Sequence, residues 1–280
     1  MTGYSHPDSL VETQWLATQL NDPSVRIVEV GMSPEDCENA HIPGAVFWSI
    51  PSDLMTPNLR MNLDAEMFSA LLSKSGISPE TTVVAYGSNP ATGANIFWLL
   101  KRFGHDKVYV LNGGHQKWMA EGRPVASALS RFEPVPYAAP DSAPARDRDY
   151  RILIAEVQDA LNRSDTVILD VRTSAEYRGE IFMGKPPEGN ERAGHIPSAV
   201  HLEHTLALNK NGTFKSAAAL HSLYAQQGIT KDKRVIPYCA VGARSGFIWY
   251  VLKYLLGYPN VQNYDGSWNE WSRLPEADLL

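Results

Sequence analysis

The sequence predicts an α/β protein made of two homologous domains, each with a mainly parallel β-sheet flanked by helices. Two observations lead to this prediction. Short apolar strands alternate with helical stretches, which is typical of parallel sheets covered on both faces. The order of these segments also occurs twice within the 280 residues. A chain of this length accommodates two domains of ordinary size.

The internal repeat is carried by several motifs that recur in the same order, which indicates a duplication. The matched pairs are residues 83–87 and 235–239, 94–101 and 246–253, 40–46 and 194–200, and 111–114 and 264–267. We therefore expect a first domain at residues 1–125 and a second at residues 149–280.

Residues 126–148, between the two copies, are rich in proline, alanine, serine and aspartate. Four of these residues are prolines, which have no backbone N–H to donate to a helix or sheet. The composition predicts an extended linker that crosses the surface.

Within the repeats, the strands are predicted from apolar runs with β-branched residues. They lie at residues 25–30, 83–85, 108–111, 166–171, 234–238 and 261–264. Helices are predicted at residues 65–75, 154–162 and 216–227. Gly76 and Gly228 follow two of these helices and are suited to ending them.

The composition also argues against several classes of function. A net charge of −6 does not favour nucleic-acid binding, which requires a basic face. No apolar stretch approaches the ~20 residues of a membrane-spanning helix, and the polar first residues contain no signal-peptide core. We expect a cytoplasmic protein with neither nucleic acid nor membrane as a partner, and the composition leaves its oligomeric state open.

The chain contains two cysteines, Cys37 and Cys239. Two thiols do not form a disulfide framework, and no histidines stand at zinc-ligand spacing, so no structural zinc site is expected. Cys37 lies in an acidic stretch, where nearby carboxylates raise a thiol pKa, and we assign it no role. Cys239 follows an apolar strand and precedes an apolar helix, at the strand end where parallel sheets bind ligands.

The loop after Cys239 is predicted to form an anion site. It consists of Ala240, Val241, Gly242, Ala243 and Arg244, followed by Ser245. Small residues allow backbone N–H groups to turn inward, and the helix N-terminus and the guanidinium of Arg244 favour negative charge there. Such an environment lowers a cysteine pKa and produces a nucleophilic thiolate. The alternative is a buried cysteine that serves only as a small apolar residue.

Loop length separates two chemistries that use cysteine and arginine in this way. Cysteine phosphatases place five residues between the two, whereas here residues 240–243 number only four. The smaller cradle favours a single sulfur atom over a phosphoryl group, and a phosphatase also requires a nearby acid. A small-anion phosphatase or arsenate reductase, or a non-catalytic binding module, stay as alternatives.

Over nearly its whole length the chain resembles the tandem-domain rhodaneses, which include thiosulfate and 3-mercaptopyruvate sulfurtransferases. The resemblance rests on residues 194–197, 170–172, the Cys239 loop and residues 264–268. It implies a catalytic second domain and an inactive first domain, with Gly87 in the position of Cys239 and Thr92 in that of Arg244. It also implies transfer of sulfur through a Cys239 persulfide to cyanide or a thiol, with no metal or organic cofactor required.

The resemblance is less specific at the positions that select the donor. Val241 and Glu176 stand where family members often carry basic residues, so Arg244 is the one cation expected at the site. The loop is similar to Cys-x-x-Gly-x-Arg-Ser of a bacterial thiosulfate-sulfurtransferase subgroup, so thiosulfate is favoured over 3-mercaptopyruvate. The candidate substrate-binding residues are Arg172, Glu176, Lys185, Arg192 and Trp268.

Each of these candidates also has a structural interpretation. Arg172 is suited to pair with Asp170 or Glu176, while Lys185 and Arg192 belong to an insertion at residues 179–192 where charges are usually solvated. Trp268 is equally suited to packing. His195 has a counterpart in the inactive half, so we interpret it as structural. The first domain is expected to wall the site through Trp48 or residues 88–90.

Overall fold

The computed structural model describes residues 3–35, 40–88, 90–138, 143–182, 184–188 and 191–275. The first half contains a five-stranded parallel sheet made of β1 Leu10–Val11, β2 Val25–Gly31, β3 Ala45–Ser49, β4 Thr82–Gly87 and β5 Val108–Leu111. These strands lie side by side in the order β1-β5-β4-β2-β3. Its helices are α1 Thr13–Gln19, α2 Ala65–Lys74, α3 Pro90–Arg102 and α4 Gly114–Ala120.

The second half repeats this arrangement. Its strands β6 Thr166–Asp170, β7 Val200–His201 and β8 Arg234–Tyr238 form a parallel sheet in the order β7-β6-β8. Its helices are α5 Ala143–Tyr150, α6 Ile154–Ala160, α7 Ser174–Tyr177, α8 Ala217–Ala225, α9 Ala243–Tyr250 and α10 Ser267–Trp271.

Two single-residue bridges extend the second sheet beyond β8. They are the parallel pairs Val235–Val261 and Arg151–Asn263, and they reproduce the places of β5 and β1 in the first sheet. The strand predicted at residues 261–264 is thus present only as these bridges. The prediction of two homologous α/β domains is confirmed.

The equivalent helices α3 and α9 pack against each other and join the two domains. Gly246 permits the close approach, because a Cβ atom there would lie 2.4 Å from Oδ1 of Asn95. The rings of Phe97 and Tyr250 meet edge to face with centroids 4.8 Å apart. One apolar cluster runs through both domains, so α9, which follows the Cys239 loop, is anchored on the first domain.

The segment between the domains differs in part from the predicted extended linker. Its first portion follows the surface of the first domain, where Ser130 N–H donates to Ala45 O at 3.1 Å and Val135 N–H to Ser73 O at 3.1 Å. Residues 143–150, however, form α5. Pro144 is compatible with this helix because it lies in the first turn, where the backbone N–H has no partner within the helix.

Among the described residues, no helix combines the length and the apolar content needed to cross a membrane. The same residues contain no cluster of three or more histidine, cysteine, aspartate or glutamate side chains arranged to hold a metal ion.

Candidate active site

Cys239 lies directly after β8 and before the N-terminus of α9, and its side chain is 1% exposed. The turn between strand and helix depends on Gly242, which has a φ of +93°. A Cβ atom on Gly242 would lie 2.6 Å from the carbonyl oxygen of Asp265. Both the left-handed backbone and the lack of space therefore require glycine at this position.

The sulfur atom of Cys239 is surrounded by hydrogen-bond donors. The N–H of Gly242 donates to Sγ at 3.1 Å. The hydroxyl of Ser245 lies 3.7 Å from Sγ, within reach for donation, and it also lies 3.0 Å from the carbonyl oxygen of Gly242. The hydroxyl of Ser267 is a more distant neighbour at 3.9 Å. The N–H of Gly242 is thus turned towards the sulfur.

These contacts act on the ionisation of the thiol. Burial raises the pKa of Cys239, but the charge of Arg244 and hydrogen bonds from Ser245 and from the Val241 N–H outweigh it. The pKa of Cys239 therefore lies below its ordinary value, which increases the thiolate fraction at neutral pH.

The short helix α10 holds the Cys239 loop in place through hydrogen bonds. The N–H of Cys239 donates to Oγ of Ser267 at 3.0 Å. In return, Trp268 N–H donates to the carbonyl oxygen of Cys239 at 3.0 Å, and Asn269 N–H to that of Ala240 at 2.9 Å. Residues 267–269 therefore position the nucleophile loop through the hydroxyl of Ser267 and two backbone N–H groups.

Arg244 and Glu176 form a bidentate ion pair at the mouth of the site. The guanidinium donates from Nη1 to Oε2 at 2.8 Å and from Nη2 to Oε1 at 2.7 Å. Although burial raises the pKa of Glu176, hydrogen bonds and charge from Arg244 and hydrogen bonds from Thr173 lower it to about 2. Glu176 is thus ionised at neutral pH and compensates the charge of Arg244.

The pair lines a cavity of about 370 Å³ next to the nucleophile loop. The lining residues are Thr173, Glu176, Ile181, Gly184, Ala240 and Arg244. Ile181 and Gly184 come from the insertion that distinguishes the second domain. Of the six lining residues, Glu176 and Arg244 are the two that carry charge.

Two of the candidate substrate residues are engaged elsewhere. Arg172 is 1% exposed, and its Nη2 donates to Oδ2 of Asp170 at 2.6 Å. It belongs to the interior of the domain, as its structural interpretation predicted. Lys185 lies on the surface and pairs with Glu188 at 3.0 Å.

Trp268 and Arg192 lie together at a different cavity, of about 280 Å³, which His195 also lines. The indole Nε1 of Trp268 donates to the carbonyl oxygen of Arg192 at 3.1 Å, which fastens the end of the insertion to α10. His195 is exposed and stacks on Tyr177 with ring centroids 3.8 Å apart. None of these three side chains lines the cavity that holds Arg244.

The first domain reaches the site region through a loop that the sequence did not indicate. The side-chain amide of Asn269 donates to the carbonyl oxygens of Asn58 at 3.0 Å and Leu59 at 3.1 Å, and Arg60 pairs with Glu270. Trp48, expected to wall the site, is instead fully buried and donates from Nε1 to Ser75 Oγ at 2.8 Å.

Of the remaining predicted contacts, Ser88 is exposed. Asn89 and Cys37 lie outside the described residues.

His204 is a further residue near the site that sequence reasoning missed. It is 6% exposed, and its Nδ1 lies 3.1 Å from the carbonyl oxygen of Val171. Burial and the nearby charge of Arg244 lower its pKa, so it is neutral at pH 7. No motif surrounds it, so no sequence signal could have identified it.

The first domain has no room for the equivalent thiol. A Cβ atom on Gly87 would lie 2.6 Å from the carbonyl oxygen of Val30. The backbone of β2 thus occupies the space that a cysteine side chain would need.

Comparisons with known proteins agree with this arrangement. The family model described as "Rhodanese-like domain" matches residues 12–121 and again residues 153–274. The chain is 44% identical over 278 residues to the sulfur carrier protein TtuD of Thermus thermophilus, covering 97% of this chain and 96% of that protein. It is 38% identical over 275 residues to the thiosulfate sulfurtransferase of Corynebacterium glutamicum, covering 97% and 90%.

Solved structures with the same fold include that of EanB as a cysteine persulfide in a tetrahedral intermediate state with ergothioneine. Its TM-score is 0.85 at 25% identity, and the match covers 98% of this chain and 70% of that one. The anaerobic ergothioneine biosynthesis enzyme from Chlorobium limicola, in complex with trimethyl histidine, matches with a TM-score of 0.84 at 25% identity, again over 98% and 70%.

Proposed function

Because this chain belongs to the rhodanese-like family, with one domain of that family in each half, and is a sulfurtransferase, we propose that Cys239 carries the transferred sulfur as a persulfide. We further propose thiosulfate as a donor and cyanide or a thiol as the acceptor. The relative named thiosulfate sulfurtransferase supports this donor, and 3-mercaptopyruvate is the second candidate.

In the first step, the Cys239 thiolate attacks the outer sulfur of thiosulfate. A new S–S bond forms to Cys239, the S–S bond of thiosulfate breaks, and its electron pair leaves with sulfite. The product is a Cys239 persulfide anion. The N–H of Gly242 and the Ser245 hydroxyl, which lie 3.1 and 3.7 Å from Sγ, are suited to stabilise this anion.

In the second step, the acceptor attacks the outer sulfur of the persulfide. Cyanide yields thiocyanate, whereas a thiolate yields a new persulfide, and in both cases the electron pair of the broken S–S bond returns to Cys239 as thiolate. The lowered pKa that increases the thiolate fraction of Cys239 also makes this sulfur a better leaving group. The enzyme thereby returns to its starting state.

The observation that carries the proposal is a buried thiol that accepts a hydrogen bond from the Gly242 N–H, lies within reach of the Ser245 hydroxyl and has a lowered pKa. The test is the intact mass after incubation with thiosulfate and removal of excess donor. The wild type is expected to gain the mass of one sulfur atom, and Cys239→Ser is expected to gain none. Cys37→Ser is the matched control and should behave as the wild type.

The rival assignments predict other outcomes in the same preparation. A small-anion phosphatase would hydrolyse p-nitrophenyl phosphate in a Cys239-dependent reaction, and an arsenate reductase would consume arsenate. A binding module would leave Cys239 unmodified. Failure to form a persulfide with either thiosulfate or 3-mercaptopyruvate would refute the proposal, and thiocyanate formation with each donor would rank the two.

A further inference from the structure

The positive charge of Arg244 at the mouth of the site is paired with a carboxylate, whereas a typical anion-binding pocket presents an unpaired positive charge. Arg244 brings one positive charge near Cys239, but both of its terminal nitrogens bond to the carboxylate of Glu176, at 2.8 and 2.7 Å. Once Cys239 is a thiolate, these three groups together carry one net negative charge. His204, which lies nearby, is neutral at pH 7 and does not change this sum.

Because Glu176 cancels the charge of Arg244, a donor that enters this cavity meets a lining with no net positive charge, next to the loop that holds the Cys239 thiolate. Thiosulfate carries two negative charges, so the carboxylate of Glu176 repels it twice as strongly as it repels a singly charged donor of the same shape. The other lining residues of the cavity, among them Ile181 and Ala240, bring no compensating cation and present apolar surface. Such a surface suits a carbon substituent better than a charged oxygen.

We propose that Glu176 is a specificity-determining residue that directs Cys239 towards singly charged sulfane-sulfur donors with a carbon substituent, such as thiosulfonates and hydropersulfide anions, in preference to dianionic thiosulfate. This inference rests on the proposed persulfide chemistry and refines its donor. Thiosulfate stays a substrate, but its second negative charge slows its reaction.

Methanethiosulfonate is a suitable probe because a methyl group replaces one charged oxygen of thiosulfate. The Cys239 thiolate attacks its outer sulfur, the S–S bond forms at Cys239, and the bond between the two donor sulfurs breaks with its electron pair on methanesulfinate. The same Cys239 persulfide results from both donors. A change in the ratio of their kcat/KM values therefore reports on donor recognition, whereas a change in thiol ionisation affects both values alike.

Glu176→Gln is the appropriate variant because it removes the charge and keeps the shape. Glu176 accepts hydrogen bonds from the N–H of Thr173 at 3.0 Å and from its hydroxyl at 2.9 Å, and glutamine also supports this type of helix cap. Glu180→Gln is the matched control, since it removes the same charge from an exposed pair with Arg178 that does not line the cavity.

The experiment measures kcat/KM for thiosulfate and for methanethiosulfonate with cyanide as acceptor. In Glu176→Gln, the thiosulfate-to-methanethiosulfonate ratio is expected to rise about tenfold, the size expected for removing one unit charge a few ångströms from the donor. In Glu180→Gln the ratio should equal that of the wild type. Glu176→Asp, which keeps the charge, should also retain the wild-type ratio.

The results of this experiment distinguish the proposed role of Glu176 from the proposed persulfide chemistry of Cys239. If the wild type forms a persulfide but the ratio in Glu176→Gln is unchanged, or rises equally in Glu180→Gln, the role of Glu176 is refuted and the persulfide chemistry stands. If neither donor modifies Cys239 in the wild type, both fail. Should Glu176→Gln not fold, Glu176→Ala provides the same loss of charge, and an unchanged ratio there refutes the inference equally.

Discussion

Replacing Gly242 with alanine is expected to damage both the stability of the fold and the reactivity of Cys239. The added Cβ atom would lie 2.6 Å from the carbonyl oxygen of Asp265, and the backbone at this position has a φ of +93°. To relieve the contact, either the Cys239 loop or the segment that begins α10 must move. Either movement displaces the N–H of Gly242 from Sγ.

The expected loss of stability in Gly242→Ala is the sum of two costs, one from the left-handed backbone and one from the close contact of the added Cβ atom. A side chain in the left-handed backbone region costs about 1–2 kcal/mol, and forcing an extra carbon into a packed site costs about 1–3 kcal/mol. Their sum is about 3 kcal/mol, which corresponds to a decrease in Tm of roughly 6–12 °C for a chain of this size. Gly228→Ala isolates the first term, because Gly228 has a φ of +71° and no atom within 4 Å of the added Cβ.

The assay is thermal or urea unfolding of both variants, together with the pH profile of Cys239 alkylation by iodoacetamide. We expect Gly228→Ala to lose about 1 kcal/mol and to keep the wild-type profile. Gly242→Ala should lose clearly more and be alkylated more slowly at neutral pH, since a donor to the thiolate is displaced. Equal stability losses combined with identical alkylation profiles would refute the steric argument.

Three further predictions concern charge and the inactive half. Arg244→Gln should shift the pH profile of Cys239 alkylation to higher pH, because the arginine charge lowers the thiol pKa; an unshifted profile would contradict this role. Gly87→Cys in a Cys239→Ser background should gain no sulfur from thiosulfate by intact mass, since the carbonyl of Val30 occupies the Cβ position; a gain would show that the first domain retains a functional cradle. The pKa of Glu176 is about 2, below its ordinary 4.5, so the stability it contributes, up to about 3 kcal/mol, is fully present above pH ~4.5 and is lost as the pH falls towards 2. Urea unfolding of the wild type and Glu176→Gln at pH 7, 4 and 3 should show a difference in the free energy of unfolding that decreases as the pH falls. A difference that stays constant would contradict a stabilising role for the Arg244–Glu176 pair.

The parts of the structure that could be predicted from sequence are those encoded by contiguous residues. A strand, a cysteine, small residues and a helix follow one another between residues 234 and 250, so the position of Cys239 at the strand end could be inferred from order alone. The helix at residues 143–150 could not, because the four prolines of residues 126–148 suggested an extended chain and the position of Pro144 in the first turn depends on where the helix begins.

Contacts between distant residues were beyond the reach of a single sequence. Glu176 and Arg244 lie on different helices, and the sequence identified each as notable without indicating that they pair. The Asn58 contact with Asn269 crosses the two domains and has no local signature. The prediction for Trp48 was wrong because an aromatic residue within a strand can point towards either face of the sheet, and in β3 this one points into the core.

The packing of α3 on α9 resembles a homodimer interface, although both helices belong to one chain. Two equivalent helices that face each other form the kind of self-complementary contact that normally joins identical subunits of a homodimer. In a homodimer every substitution occurs twice, so a residue that suits one side is imposed on the other. In a single chain the two sides vary independently, and here Gly246, which faces Asn95, has Ala94 rather than a glycine as its counterpart in α3. In a fused chain, one half can therefore carry the reactive thiol. The other half needs no thiol and can instead provide the surface against which the first half packs.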